Sequence, residues 1–332
     1  MKKNFTTWCL FTLGLIALPF LSYGSDNDYS AVRDYYQRVK QAVFSDPYPS
    51  LPQYKVSRKH FDRDGENLLL KHAKRTLSST TDFIELEGGQ KLLQANGICF
   101  AGNWRIGKNS SYTGLYSKGT NVPVIVRASV SLSGTKQNDK RAFGMAIKLF
   151  AESKSKDATK PQTYNLFVMH SLGGTQTKHV LSLPMTNEPS LGELPPFSQL
   201  LTAYRLENDL GTADKLFSQE KANARFRPVS HIAHIPQSDL TTDTPLSLNG
   251  PHWLKLVAST DTTLVDKSDF RDELAVVHYP NHRIQWDIYA APNNAQGIES
   301  AKWQHLGAMT VNESVTSLTC DTRLHFAHPV IQ

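Results

Sequence analysis

The chain has 332 residues, 39% hydrophobic and 20% charged, with 36 Lys plus Arg against 30 Asp plus Glu and a formal net charge of +6. A chain of this length buries a sizeable core without disulfide staples, and its hydrophobic share excludes a disordered or low-complexity polymer. The positive charge is spread thinly, with no Lys/Arg block and no Arg-rich helix, so nothing in it marks a nucleic-acid-binding protein.

Lys2 and Lys3 precede the apolar run Cys9 to Leu21, and Ser22-Tyr23-Gly24 follows with small residues where a signal peptidase reads. Residues 1–24 therefore read as a signal peptide cleaved after Gly24, and the protein as periplasmic or secreted. The rival reading is an uncleaved anchor. Cys9 opens the apolar run instead of ending it, so no lipobox is present. No later stretch reaches 18 apolar residues, which predicts no membrane contact after cleavage.

Residues 25–91 are polar and read as an N-terminal arm, with helical spacing over Tyr29 to Phe44 and over Asn67 to Leu77. From residue 92 to 332 the character is that of one β-rich domain. GICFAGNW (97–104), VPVIVRAS (122–129), FGMAIKLF (143–150), YNLFVMH (164–170), WLKLVAS (253–259), RIQWDIYA (283–290) and HLGAMTV (305–311) are strand-like runs between turn-forming clusters. Ser190 to Leu216 reads as helix or loop, and Asp266 to Val277 as a helix feeding the next strand. The fold class is mainly β with helical insertions, an antiparallel barrel or sandwich of seven or eight strands. Past the leader there are two cysteines, Cys99 and Cys320, which are either a disulfide or two buried thiols.

The order of these runs resembles that of the catalases. KLLQANGICFAGNW is similar to the start of the catalase barrel, VPVIVRAS to its Pro-apolar-Val-Arg-Phe-Ser strand and FGMAIKLF to its Arg-Gly-Phe-Ala-Val-Lys-Phe strand. RIQWDIYAAP, HLGAMTV and TSLTCDTRLHF resemble the C-terminal part of small catalase-like proteins. The resemblance implies an eight-stranded antiparallel catalase-like barrel with haem as cofactor. It implies Arg127 as the residue meeting a haem propionate and Ser129 as the residue steadying the distal base. That base, a His in the family, falls at Gln94, whose carboxamide cannot shuttle a proton near neutral pH. The distal Asn falls at Gln162, with Asn165 as a second candidate. Gln94, Arg127, Ser129 and Gln162 are expected to point into one interior pocket. From its residues alone, Arg127 reads equally as a rim cation or as half of a buried salt bridge.

Catalase haem is held by a Tyr on a helix beyond the barrel, and the sequence ends at Gln332 without residues for that helix. Tyr279 in YPNHR superficially looks like the ligand run, but it lies ahead of a barrel strand and reads as a turn. His72-Ala73-Lys74 copies the distal tripeptide yet lacks its Gly and reads as an exposed helical His. His231/His234 and His325/His328 are spaced as metal pairs on a helix, with no third ligand apparent, and His170 reads as structural.

Two functions follow. The first is an exported catalase-fold protein with a degenerate haem and peroxide site, without catalase activity, acting as a binding or structural module. The alternative is a haem-dependent peroxidase or other peroxide-handling oxidoreductase. The expected partner is a small molecule in the barrel pocket, and the oligomeric state stays open.

Overall fold

The computed structural model describes residues 26–52, 75, 79, 81–86, 89, 91, 95–132, 141–152, 161–170, 231–234, 251, 253–260, 267, 269–292 and 302–327. The segments read as signal peptide (1–24), as a helix over Asn67 to Leu77 and as helix or loop over Ser190 to Leu216 lie outside these residues, apart from the single helical residue Arg75.

The described part is mostly β. Helix α1 (Asp26–Phe44) is followed by strands β1 (Asn96–Ile106), β2 (Asn121–Leu132), β3 (Arg141–Glu152) and β4 (Pro161–His170). Strands β5 (His231–His234), β6 (Trp253–Ala258), β7 (Ile284–Ala291) and β8 (Gln304–Val315) complete the sheet. Each strand pairs antiparallel with the next in the chain, and β8 pairs back onto β1. The sheet therefore curls round on itself. Its thinnest seam joins β4 to the four-residue β5 through Met169↔Ile232 and His170↔His231.

Alternation sets which side chains fill the inside. In β7 the burial pattern repeats every second residue, with Ile284, Trp286, Ile288 and Ala290 inward and Gln285, Asp287 and Tyr289 outward. The inner core gathers Ile98, Phe100 and Trp104 from β1, Val124, Val126 and Ala128 from β2, and Met145, Ile147 and Leu149 from β3. Leu254, Leu256, Trp286 and Met309 complete it from the far side. Phe100 and Trp286 meet edge to face, their centroids 6.2 Å apart.

Strands β1 to β4 are covered on their outer face as well. Helix α1 buries Val32, Tyr36, Val39 and Val43, one stripe at helical spacing, against Cys99, Ala101, Ile125 and Phe150. This double burial is why Val124 to Ser129 are buried without a break and why the strand reads as a nearly continuous apolar run.

The predicted helix over Asp266 to Val277 is shorter in the structure. Asp269 caps a single turn, α2 (Phe270–Glu273), by accepting the Arg271 amide, and a 3-10 turn follows at Val276–His278. His231 and His234 sit on a strand, not a helix. The helical spacing on which a metal pair would depend therefore does not apply to them.

The seam that brings β8 back to β1 depends on two glycines. A Cβ on Gly102 would stand 2.0 Å from the Thr310 carbonyl oxygen, and one on Gly307 would stand 2.0 Å from that of Arg105. The register shifts between Ala101 and Gly102, so the strands approach there at an irregular step. Gly102→Ala is expected to cost about 2–3 kcal/mol, read as a lower denaturant midpoint at unchanged slope.

Candidate functional site

The sequence-derived site residues divide by face. Arg127 is the register partner of Cys99, and both belong to the outer face of the sheet, beneath the covering layer. Ser129, two residues on and paired with Gly97, shares that face and is buried. The expectation that they point into an interior pocket is thus corrected by parity: Val124, Val126 and Ala128 take the inward positions, leaving residues 127 and 129 outward. Gln94 lies outside the described residues. Gln162 has its backbone in β4 opposite Ala151, and its side chain is outside the described set. Asn165 is buried on β4 opposite Lys148, and its Oδ1 has no hydrogen-bond partner among the described residues.

On the outer face Arg127 is one half of a buried salt bridge. Its Nη2 donates to Asp321 Oδ1 at 2.9 Å and to the Ala95 carbonyl at 3.1 Å. Arg127 is 4% exposed and Asp321 fully buried. Asp321 belongs to a π-helical turn (Thr319–Arg323) whose neighbour Cys320 is disulfide-bonded to Cys99, with Cα atoms 5.9 Å apart. Burial pushes the Asp321 carboxyl up, while Arg127, then Arg271 and Lys91, pull it down. Lys91, from the arm, donates its ammonium to the Leu324 carbonyl at 2.8 Å. Its pKa is lowered to about 7 by burial first and by Arg127 second, against the pull of Asp321.

A second buried pair lies one strand over. Lys148 Nζ donates to Asp82 Oδ1 at 2.7 Å, sits 5.4 Å from the Phe326 ring centroid and is 1% exposed. Asp82 also accepts the Tyr35 hydroxyl from α1. Burial lowers the Lys148 pKa and Asp82 opposes that shift.

A third pair, Asp269–Arg271, is two-pronged, with Nε on Oδ1 and Nη2 on Oδ2, both at 2.9 Å. Arg271 Nη1 also reaches the Pro52 carbonyl at 2.8 Å. The Asp82, Lys91, Lys148 and Asp321 roles were missed by sequence reasoning. The one available signal was Lys148, a lone cation inside the apolar run FGMAIKLF.

The other expected residues are accounted for in the same way. Tyr279 is 5% exposed, packs in the inner core and donates its hydroxyl to the Glu273 carbonyl, on the turn leading into β7. His325 is buried, with Nδ1 2.8 Å from the Thr81 carbonyl oxygen; His328 and His72 lie outside the described residues. No group of three His, Cys, Asp or Glu that could hold a metal occurs among the described residues.

The described residues do not fit a haem. The guanidinium expected at a propionate already faces a protein carboxylate. The phenol considered as axial ligand is hydrogen-bonded within the core. The outer face over β1 to β4 is filled by α1, the arm and the C-terminal turn.

No protein-family model matches the chain, and no curated protein matches it. Solved structures that resemble it include a bacterial catalase, at 12% identity and TM-score 0.38, over 80% of this chain and 55% of that one. Catalase A from Saccharomyces cerevisiae gives 12% and 0.38 over 87% and 65%, and a fungal catalase 13% and 0.36 over 85% and 63%. The chain thus spans 55–65% of the length of these catalases. These values describe a partial likeness of strand layout and no more.

Two outcomes test this site. Because Lys91 is lowered to about 7 when folded and has an ordinary value of 10.5, the unfolded chain holds the extra proton between those two values. Lys91 therefore makes stability rise with pH across that window. In Lys91→Met the rise is expected to flatten, measured as melting temperature against pH for the two proteins side by side. The Cys99–Cys320 bond closes a loop of 221 residues, worth about 5 kcal/mol on the loop-entropy account. The Cys99→Ala/Cys320→Ala protein is expected to unfold at correspondingly lower denaturant, and peptide mapping of the non-reduced wild type to recover the joined pair.

Proposed function

We propose that this protein is an exported, catalase-type eight-stranded barrel in which haem and peroxide chemistry has lapsed, and that it serves as a binding or structural module. The observation that carries the reading is the Arg127–Asp321 pair: the cation that the sequence resemblance assigns to a porphyrin propionate is neutralised from within the chain. Two features support it. Gln94 stands where the family has its proton-shuttling His, and loss of such a group costs roughly 10²–10⁴-fold. Tyr279 is committed to the Glu273 carbonyl.

Export is supported by the basic-apolar-small pattern of residues 1–24, and the Cys99–Cys320 bond suits an oxidising compartment. A small molecule is the partner class proposed, on the sequence resemblance alone.

The test is oxygen release from peroxide by protein expressed with ample haem, read beside its Soret absorption and beside Gln94→His. The expected result is no turnover above free haem and no stoichiometric Soret band in either protein. Robust oxygen release by the wild type overturns the reading in favour of a peroxide-handling enzyme. Release by Gln94→His alone would show that haem is seated and that only the distal base was lost. Sequencing of the mature N-terminus is expected to begin at Ser25.

A further inference from the structure

We propose that Arg127 and Lys91 form a carboxylate-binding site on the outer face of β1 and β2, which the chain fills with its own Asp321. The inference does not depend on whether the fold ever held haem.

The cationic side of the site is built in advance. The Arg127 guanidinium lies flat against the backbone of β1 at Gly97: a Cβ there would come within 2.6 Å of Cζ and 2.7 Å of Nε and Nη2. The guanidinium thus occupies the space beside Gly97, and its Nη2 is held by the Ala95 carbonyl at 3.1 Å. Lys91 brings a second cation beside it from the arm, its ammonium held by the Leu324 carbonyl. Arg127, Arg271 and Lys91 all act on this one carboxylate, Arg127 most strongly. That carboxylate uses only Oδ1 on the guanidinium, while the buried Oδ2 has no hydrogen-bond partner among the described residues.

The turn that delivers the carboxylate is held independently of it. Cys320 is bonded to Cys99, and Asp46 Oδ2 accepts both the amide and the hydroxyl of Thr319, at 3.0 and 2.7 Å. Ser317 donates to the Val43 carbonyl at 2.6 Å. Removing the Asp321 side chain therefore leaves the turn in place and opens a void the size of acetate, facing Arg127 and Lys91. A guanidinium so buried needs a counter-charge, and a free carboxylate can supply it.

The experiment is chemical rescue. Asp321→Gly is expected to melt ~10 °C below the wild type. It should recover about half of that loss in acetate relative to chloride at equal ionic strength. Asp321→Asn, which fills the void with a neutral amide, and Arg127→Met/Asp321→Leu, which replaces the pair by apolar contact, should show no such difference. If Asp321→Gly does not fold unaided, refolding yield in acetate against chloride is the readout, with a higher yield in acetate expected. Equal behaviour of Asp321→Gly in the two anions, including equal failure to fold, overturns the proposal. So does an acetate response as large in Asp321→Asn or in the double variant.

Discussion

A guanidinium on the outer face of a β-strand, sealed under other parts of the chain, is the constraint from which much of this structure follows. Leaving Arg127 buried without a counter-charge would cost several kcal/mol, so a carboxylate must reach it. Asp321 does so across 194 residues of sequence. To hold it there, the C-terminal turn is fastened to β1 by the disulfide and to the end of α1 by Asp46 and Ser317. The helix, the arm and the turn then form one covering layer. The second pair, Lys148–Asp82, joins that layer to β3 through the arm, with Tyr35 of α1 on the same carboxylate.

The covering layer divides the sheet into two halves with different surroundings. Strands β1 to β3 are buried on both faces along much of their described length. On β7 and β8 the outward residues Asp287 and His305 stay substantially open to solvent, with His305 Nε2 3.9 Å from Asp287 Oδ1 and edge to face with Tyr289. An ion pair in that setting contributes little, whereas the pairs under the covering layer are costly to break. Among the described residues, the Arg127–Asp321 and Lys148–Asp82 pairs both lie under that layer.

Much of the strand layout was legible because alternation leaves a direct trace: IQWDIYAA shows its inward and outward residues without any structural knowledge. The helix over Tyr29 to Phe44 was legible from its apolar spacing, and the structure extends it to Asp26. β5 was not legible, since HIAH is too short to show a period. The candidate site was legible as a set of residue types but not as a place. Arg127 stood out as a cation in an apolar strand. Its face depends on the register with β1, and its partner lies in TCDTR, a stretch with no periodicity to read.

The separation of Cys99 from Cys320 also bears on how the molecule is made. Synthesis runs from the N-terminus, so β1 and its thiol emerge well before the turn that completes the bond. Until the segment with Cys320 and Asp321 arrives, the outer face of β1 and β2 lacks the turn that completes its covering layer, and Cys99 lacks its disulfide partner. During synthesis that part of the surface therefore stays open until the 319–323 turn docks on it.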